Sequence, residues 1–137
     1  MTSRSRIVLD TGVIVSAILL PHSVPRQALD LAFRGGTVLA STATLEEFDQ
    51  VVRRPKFSHY VSKEQCLRFL AAFVRDSSFV EVNEIVTECR DPKDNKFLEL
   101  ALSGEATFIV SGDRDLLILH PFRGIPVLTP KEFVSLP

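Results

Sequence analysis

The chain is poor in the features that would announce a disulfide scaffold, a zinc centre or a membrane anchor. Its only cysteines, Cys66 and Cys89, lack metal-ligand spacing and read as ordinary thiols in a reducing, cytoplasmic setting. The three histidines, His22, His59 and His120, are scattered and read as surface or packing residues. The longest uncharged apolar run, Val13 to Pro21, is too short to span a bilayer, and the N-terminus has no apolar signal region, so no membrane role is expected. A formal net charge of -1 gives no global attraction for nucleic acid; such a partner would have to meet a local basic patch. No repeat, low-complexity segment or linker interrupts the 137 residues, and 45% hydrophobic content suits one domain, 1–137, with its own core.

Short apolar strand-like runs alternate with helical periodicity along that length. Ile7-Val8-Leu9, Thr37 to Ala40, Phe79 to Val82, Thr107 to Val110 and Pro126 to Leu128 have strand character. Between them lie helical segments from Val13 to Leu20, Arg26 to Arg34, Ser41 or Thr42 to about Arg54, Ser62 to Asp76, Pro92 to about Gly104, and a short one after Thr129. Ser62 with Gln65 and Thr129 with Glu132 have the spacing of capping boxes. The alternation predicts an α/β protein, a three-layer α/β/α sandwich around a mostly parallel sheet.

Acids fall where that architecture gathers ligands. Asp10 and Asp113 follow strands at their carboxyl ends, where open α/β sheets bind ligands, with Asp115 just behind. On the helix from Ser41, Leu45, Phe48, Val51 and Val52 form the buried stripe, and Glu47 lies about 40° from Val51 on its rim, whereas Glu46 points away. After Asp91 and Pro92, a helix cap and first position, Asp94 aligns with the apolar Phe97, Leu98 and Ala101. A carboxylate aimed at a core edge needs a partner. Clustered carboxylates in a cleft share protons or hold a cation, and an all-oxygen set favours Mg²⁺ or Mn²⁺ over zinc. Such a site suits phosphoryl chemistry. The basic residues near these elements, Arg26, Arg53, Arg54, Lys56, Lys93 and Arg114, are candidates for phosphate contact, and Phe57 within the Arg53-Arg54-Pro55-Lys56-Phe57 segment is a candidate for base stacking.

The pieces Ile7-Val8-Leu9-Asp10-Thr11, Leu45-Glu46-Glu47-Phe48 running into Arg53-Arg54-Pro55-Lys56, Arg90-Asp91-Pro92 with Asp94 to Phe97, and Ser111-Gly112-Asp113-Arg114-Asp115-Leu116 occur in the order seen in PIN domains. Closed by Leu128-Thr129-Pro130, the chain resembles that family over nearly its whole length, and more closely its VapC-like bacterial toxin branch. The resemblance implies a Mg²⁺- or Mn²⁺-dependent ribonuclease. It places catalytic and metal-holding acids at Asp10, Glu47, Asp94 and Asp113, with Asp91 and Asp115 supporting. Thr11 and Ser111 would orient water or neighbouring carboxylates. It also implies an RNA substrate, a small antitoxin partner and frequent homodimers. The family pattern has Asn after the Asp-Thr pair; this chain has Gly12, which is expected to ease the strand-to-helix turn.

Three other readings compete. The triplet Asp10-Thr11-Gly12 also occurs in aspartic proteases, but those need a second such loop in an all-β setting. A haloacid-dehalogenase-like phosphotransferase needs an aspartate at position 12. A PIN-like module that binds RNA or protein without cutting is the stronger rival, and the Gly12 departure keeps it open.

Overall fold

The computed structural model describes residues 1–137. Five strands, β1 (Arg6–Leu9), β2 (Thr37–Ala40), β3 (Ser78–Phe79), β4 (Phe108–Val110) and β5 (Val127–Leu128), form one sheet in the order β3-β2-β1-β4-β5. Every pairing is parallel. Seven α-helices connect and flank them: α1 (Thr11–Leu19), α2 (Val24–Gly35), α3 (Thr42–Val52), α4 (Lys63–Asp76), α5 (Asn95–Ser103), α6 (Arg114–Leu117) and α7 (Pro130–Val134). Single 3₁₀ segments precede α4 at Pro55–His59 and α5 at Pro92–Asp94.

The strands are short and apolar because both sheet faces are covered. Side chains alternate between faces along a strand. Ile7, Leu9, Val38, Ala40 and Val110 therefore enter one core, with residues of α1 to α4 and Phe133 of α7. Val8, Leu39 and Ile109 enter the other, under α5, Leu116 and Phe122. Edge-to-face aromatic pairs lock the first core: Phe48 of α3 meets Phe73 of α4 at 5.3 Å, and Phe73 meets Phe33 of α2 at 5.3 Å.

Helix boundaries follow local chemistry. The Ser41, Ser62 and Thr129 hydroxyls cap α3, α4 and α7, each within a reciprocal capping box. Ser23 caps α2, so that helix starts before Pro25, which sits harmlessly in its first turn where no backbone donor is required. Gly104 ends α5 in close quarters: a Cβ there would lie 2.7 Å from Leu39 Cδ1 and 3.1 Å from the Leu100 carbonyl oxygen. The third strand is the main departure from expectation. β3 covers only Ser78–Phe79, because Val80 donates the last bond to Ala40 and the chain then leaves the sheet edge to cross α5, where Asn83 and Val86 bond to the Ser103 and Glu99 side chains.

Candidate metal centre

Register brings the first acids together. β1 and β4 pair Leu9 with Val110, so Asp10 and Ser111 follow side by side at the carboxyl edge. The ladder carries past the strand ends, with Asp10 N–H donating to the Val110 carbonyl and Ser111 N–H to that of Leu128. Both residues are buried. The Ser111 hydroxyl donates to Asp10 Oδ2, while Asp10 Oδ1 caps α1 by accepting from Val13 N–H at 2.8 Å. Ser111 Oγ also accepts from Asp113 N–H at 2.9 Å, so one hydroxyl fixes two acids. Asp113 in turn caps α6 through Asp115 N–H.

Helices bring the others. Glu47 of α3 accepts from the Thr11 hydroxyl through Oε2 and from the Lys96 ammonium through Oε1 at 2.8 Å. Asp91 caps the 3₁₀ turn through Lys93 N–H, whereas Asp94 makes no capping bond at the start of α5. The buried Asn95 accepts from Cys89 N–H at 2.9 Å and ties the incoming loop to this helix start. Asp94 Oδ2 is buried without a hydrogen-bond partner. Leaving such an atom unpaired is costly unless something else meets it.

Asp10, Thr11, Gly12, Glu47, Asp94 and Asp113 line one cleft of about 430 Å³, whose wall also includes Ser16, Pro25, Phe97 and Pro130. No lysine or arginine lines it. Burial pushes the Asp10 carboxyl up to about 6, against the bonds from Ser111 and Val13 and with help from the charges of Asp113 and Glu47. Asp94 rises further, to about 7, first through burial and then through the facing Asp113, with smaller repulsion from Asp91 and Asp10. On the outer side of Asp94, the carboxylates of Asp91 and Asp115 each bring an oxygen within 4.8 Å of the other two. The orphaned Asp94 oxygen, the repelling acids and the absence of nitrogen or sulfur donors fit a hard divalent cation.

Two local expectations change. Phe57 is buried in the core beneath the 3₁₀ segment, so it offers no face to a base; Tyr60 is the exposed aromatic nearby. Gly12 lies inside α1 without a positive φ, and a Cβ there would meet only Asp10 Oδ1 at 3.5 Å, so neither the turn nor space demands glycine. Of the basic candidates, Arg26 and Arg53 are held in pairs with Asp30 and Asp49, while Arg54, Lys56, Lys93 and Arg114 are exposed and outside any ion pair. Lys96, Asn95, Ser16 and Pro25 were not expected from the sequence. The bond from Lys96 to Glu47 crosses between two helices, and no local spacing signals it.

Fold and site together define an α/β/α protein with a carboxylate-lined cleft at the carboxyl edge of a parallel sheet. Residues 6–115 match the family described as PIN domain, and the chain belongs to that family. PIN domains are typically divalent-metal-dependent nucleases. The chain is 34% identical over 140 residues to the uncharacterized protein MJ1680 of Methanocaldococcus jannaschii, covering 95% of this chain and 90% of that protein. In fold it is similar to a chain of VapBC2 from Rickettsia felis, a complex crystallised on a DNA fragment from its promoter. That match has a TM-score of 0.61, with 16% identity, 90% of this chain and 98% of that one covered. PAE2754 from Pyrobaculum aerophilum is similar at a TM-score of 0.57, with 14% identity and coverage of 93% and 85%. No helix is long and apolar enough to cross a membrane.

Proposed function

We propose that this chain is a Mg²⁺- or Mn²⁺-dependent ribonuclease, acting through residues 1–137 as a single PIN-like domain. The observation that carries the reading is the buried, partnerless Asp94 Oδ2 in a cleft shared with Asp10 and Asp113. Asp10, Asp94 and Asp113 would hold the ion, with Glu47 as the fourth acid. When bound, the ion supplies Lewis-acid chemistry suited to phosphodiester hydrolysis. Ser111 holds the Asp10 carboxylate and the turn carrying Asp113, Thr11 holds Glu47, and Asp91 and Asp115 back Asp94 from outside. Arg54, Lys56, Lys93 and Arg114 are the free cations available to RNA phosphates, with Arg26 and Arg53 available once their pairs open.

The fold likeness to the VapBC2 chain supports a further reading: a cytoplasmic toxin component, held in check by a small antitoxin protein and able to form homodimers. Growth arrest on expression, relieved by Asp94→Asn, is the expected signature. The chemistry is tested by incubating mixed RNA with the protein in Mg²⁺, Mn²⁺ or EDTA. Cleavage should require the ion and disappear in Asp10→Asn and Asp94→Asn. Cleavage unchanged in both variants would place the chemistry elsewhere. Gly12, standing where the family pattern has Asn, keeps open a second reading, a module that binds RNA or protein without cutting. RNA retention with no cleavage in Mn²⁺ would select it.

A further inference from the structure

Glu47 differs from the other acids of the cleft because one of its donors is a cation; Asp10 also has both oxygens held, but by neutral donors, the Val13 N–H and the Ser111 hydroxyl. Thr11 takes Oε2 and Lys96 takes Oε1. The Lys96 and Glu47 side chains are only 22% and 20% exposed, so water and salt screen this pair less than the chain's other ion pairs. Lys96 reaches Glu47 from α5 on the far side, where it lines a neighbouring groove with Ser41, Thr42 and Glu46. It is the only lysine or arginine paired with an acid of the cleft. Asp94 Oδ2, by contrast, has no partner at all.

A divalent ion drawn to Glu47 Oε1 would have to displace the ammonium or sit beside it, and like charges at that range repel strongly. We propose that Lys96 is a built-in counter-cation standing in for a second metal ion: it reserves Glu47, so the resting cleft takes one divalent ion, on the Asp10, Asp94 and Asp113 side. Lys96 is then a positioning residue whose fixed charge sets the ion count. This inference rests on the carboxylate metal-centre reading above.

Calorimetric titration of the intact chain with Mn²⁺ separates the two. Wild type is expected to bind about one ion per chain, Lys96→Met about two, and Lys96→Arg about one, because arginine keeps the charge. In the Lys96→Met background, Glu47→Gln should return the count to about one. Manganese paramagnetic resonance should show an isolated ion in wild type and a coupled pair in Lys96→Met. A plain tether between α3 and α5 would change the melting temperature of Lys96→Met and leave its ion count alone. Wild type already binding two ions, or Lys96→Met still binding one, overturns the proposal while leaving the metal centre standing. Wild type binding none overturns the metal-centre reading and the proposal with it.

Discussion

At the scale of single residues, Asp94 is the carboxyl pushed furthest above its ordinary value, first by burial and then by Asp113. Its folded pKa, about 7, and that of Asp10, about 6, lie above the ordinary value of 3.8. The folded state therefore holds these protons more tightly than the unfolded chain, and stability falls as pH rises from about 4 to about 7. Without divalent ions the melting temperature should be lower at pH 8 than at pH 5. Asp94→Asn removes part of that penalty, because its amide can donate to Asp113. Water screens this partly exposed carboxyl, so scanning calorimetry in EDTA at pH 8 should find the variant more stable by only about 1–2 kcal/mol, or roughly 3–6 °C, with the gap closing by about pH 5. A gap of equal size at both pH values would place its cause outside this titration. Mn²⁺ should stabilise wild type more than the variant, and more at pH 8 than at pH 5, where protons compete for the same oxygens.

The odd aim of Asp94 was legible in the sequence because a carboxylate stood in line with Phe97, Leu98 and Ala101. Asp10 and Asp113 were legible because each ends a β-branched or apolar run. The hold on Glu47 was not, since a lysine in a helix carries no periodic signal of the acid it will meet on another element. Asn95 was hidden for the same reason. An amide beside an aspartate looks like ordinary helix-start polarity until the Cys89 loop is seen folded onto it.

At the scale of elements, local chemistry fixed most boundaries and long-range geometry moved the rest. The capping boxes at Ser62 and Thr129 form as their spacing predicts. The β3 strand shortened because the edge of the sheet ends there and the segment after it finds partners on α5 instead. Phe57 follows the same logic: its neighbours Arg53, Arg54 and Lys56 are solvated, but the 3₁₀ turn rotates the ring into the core. The first turn of α1 yields a direct prediction. Gly12 adopts helical backbone with room for a Cβ, so Gly12→Ala should stabilise the fold by about 0.5–1 kcal/mol, chiefly by restricting the unfolded chain. Denaturant unfolding checks this. A loss of stability would mean that position 12 needs a freedom only glycine has.

At the scale of the whole molecule, a net charge of -1 and a cleft without lysine or arginine argue against strong general attraction for RNA. Binding should depend on few rim contacts and on the neutralising ion. Lys93→Gln and Arg114→Gln should each weaken RNA binding across sequences and reduce the salt slope of log affinity by about 1, measured by fluorescence anisotropy on the non-cleaving Asp10→Asn background. Unchanged slopes would move the RNA path to another face.

Anomalous diffraction from crystals grown with Mn²⁺ tests whether the cleft holds a divalent cation between Asp10, Asp94 and Asp113. A manganese peak is expected within the cleft, in contact with the partnerless Asp94 oxygen and absent from Asp94→Asn crystals. A peak confined to the outer trio of Asp91, Asp94 and Asp115, or a peak in the cleft that survives Asp94→Asn unchanged, would contradict that placement.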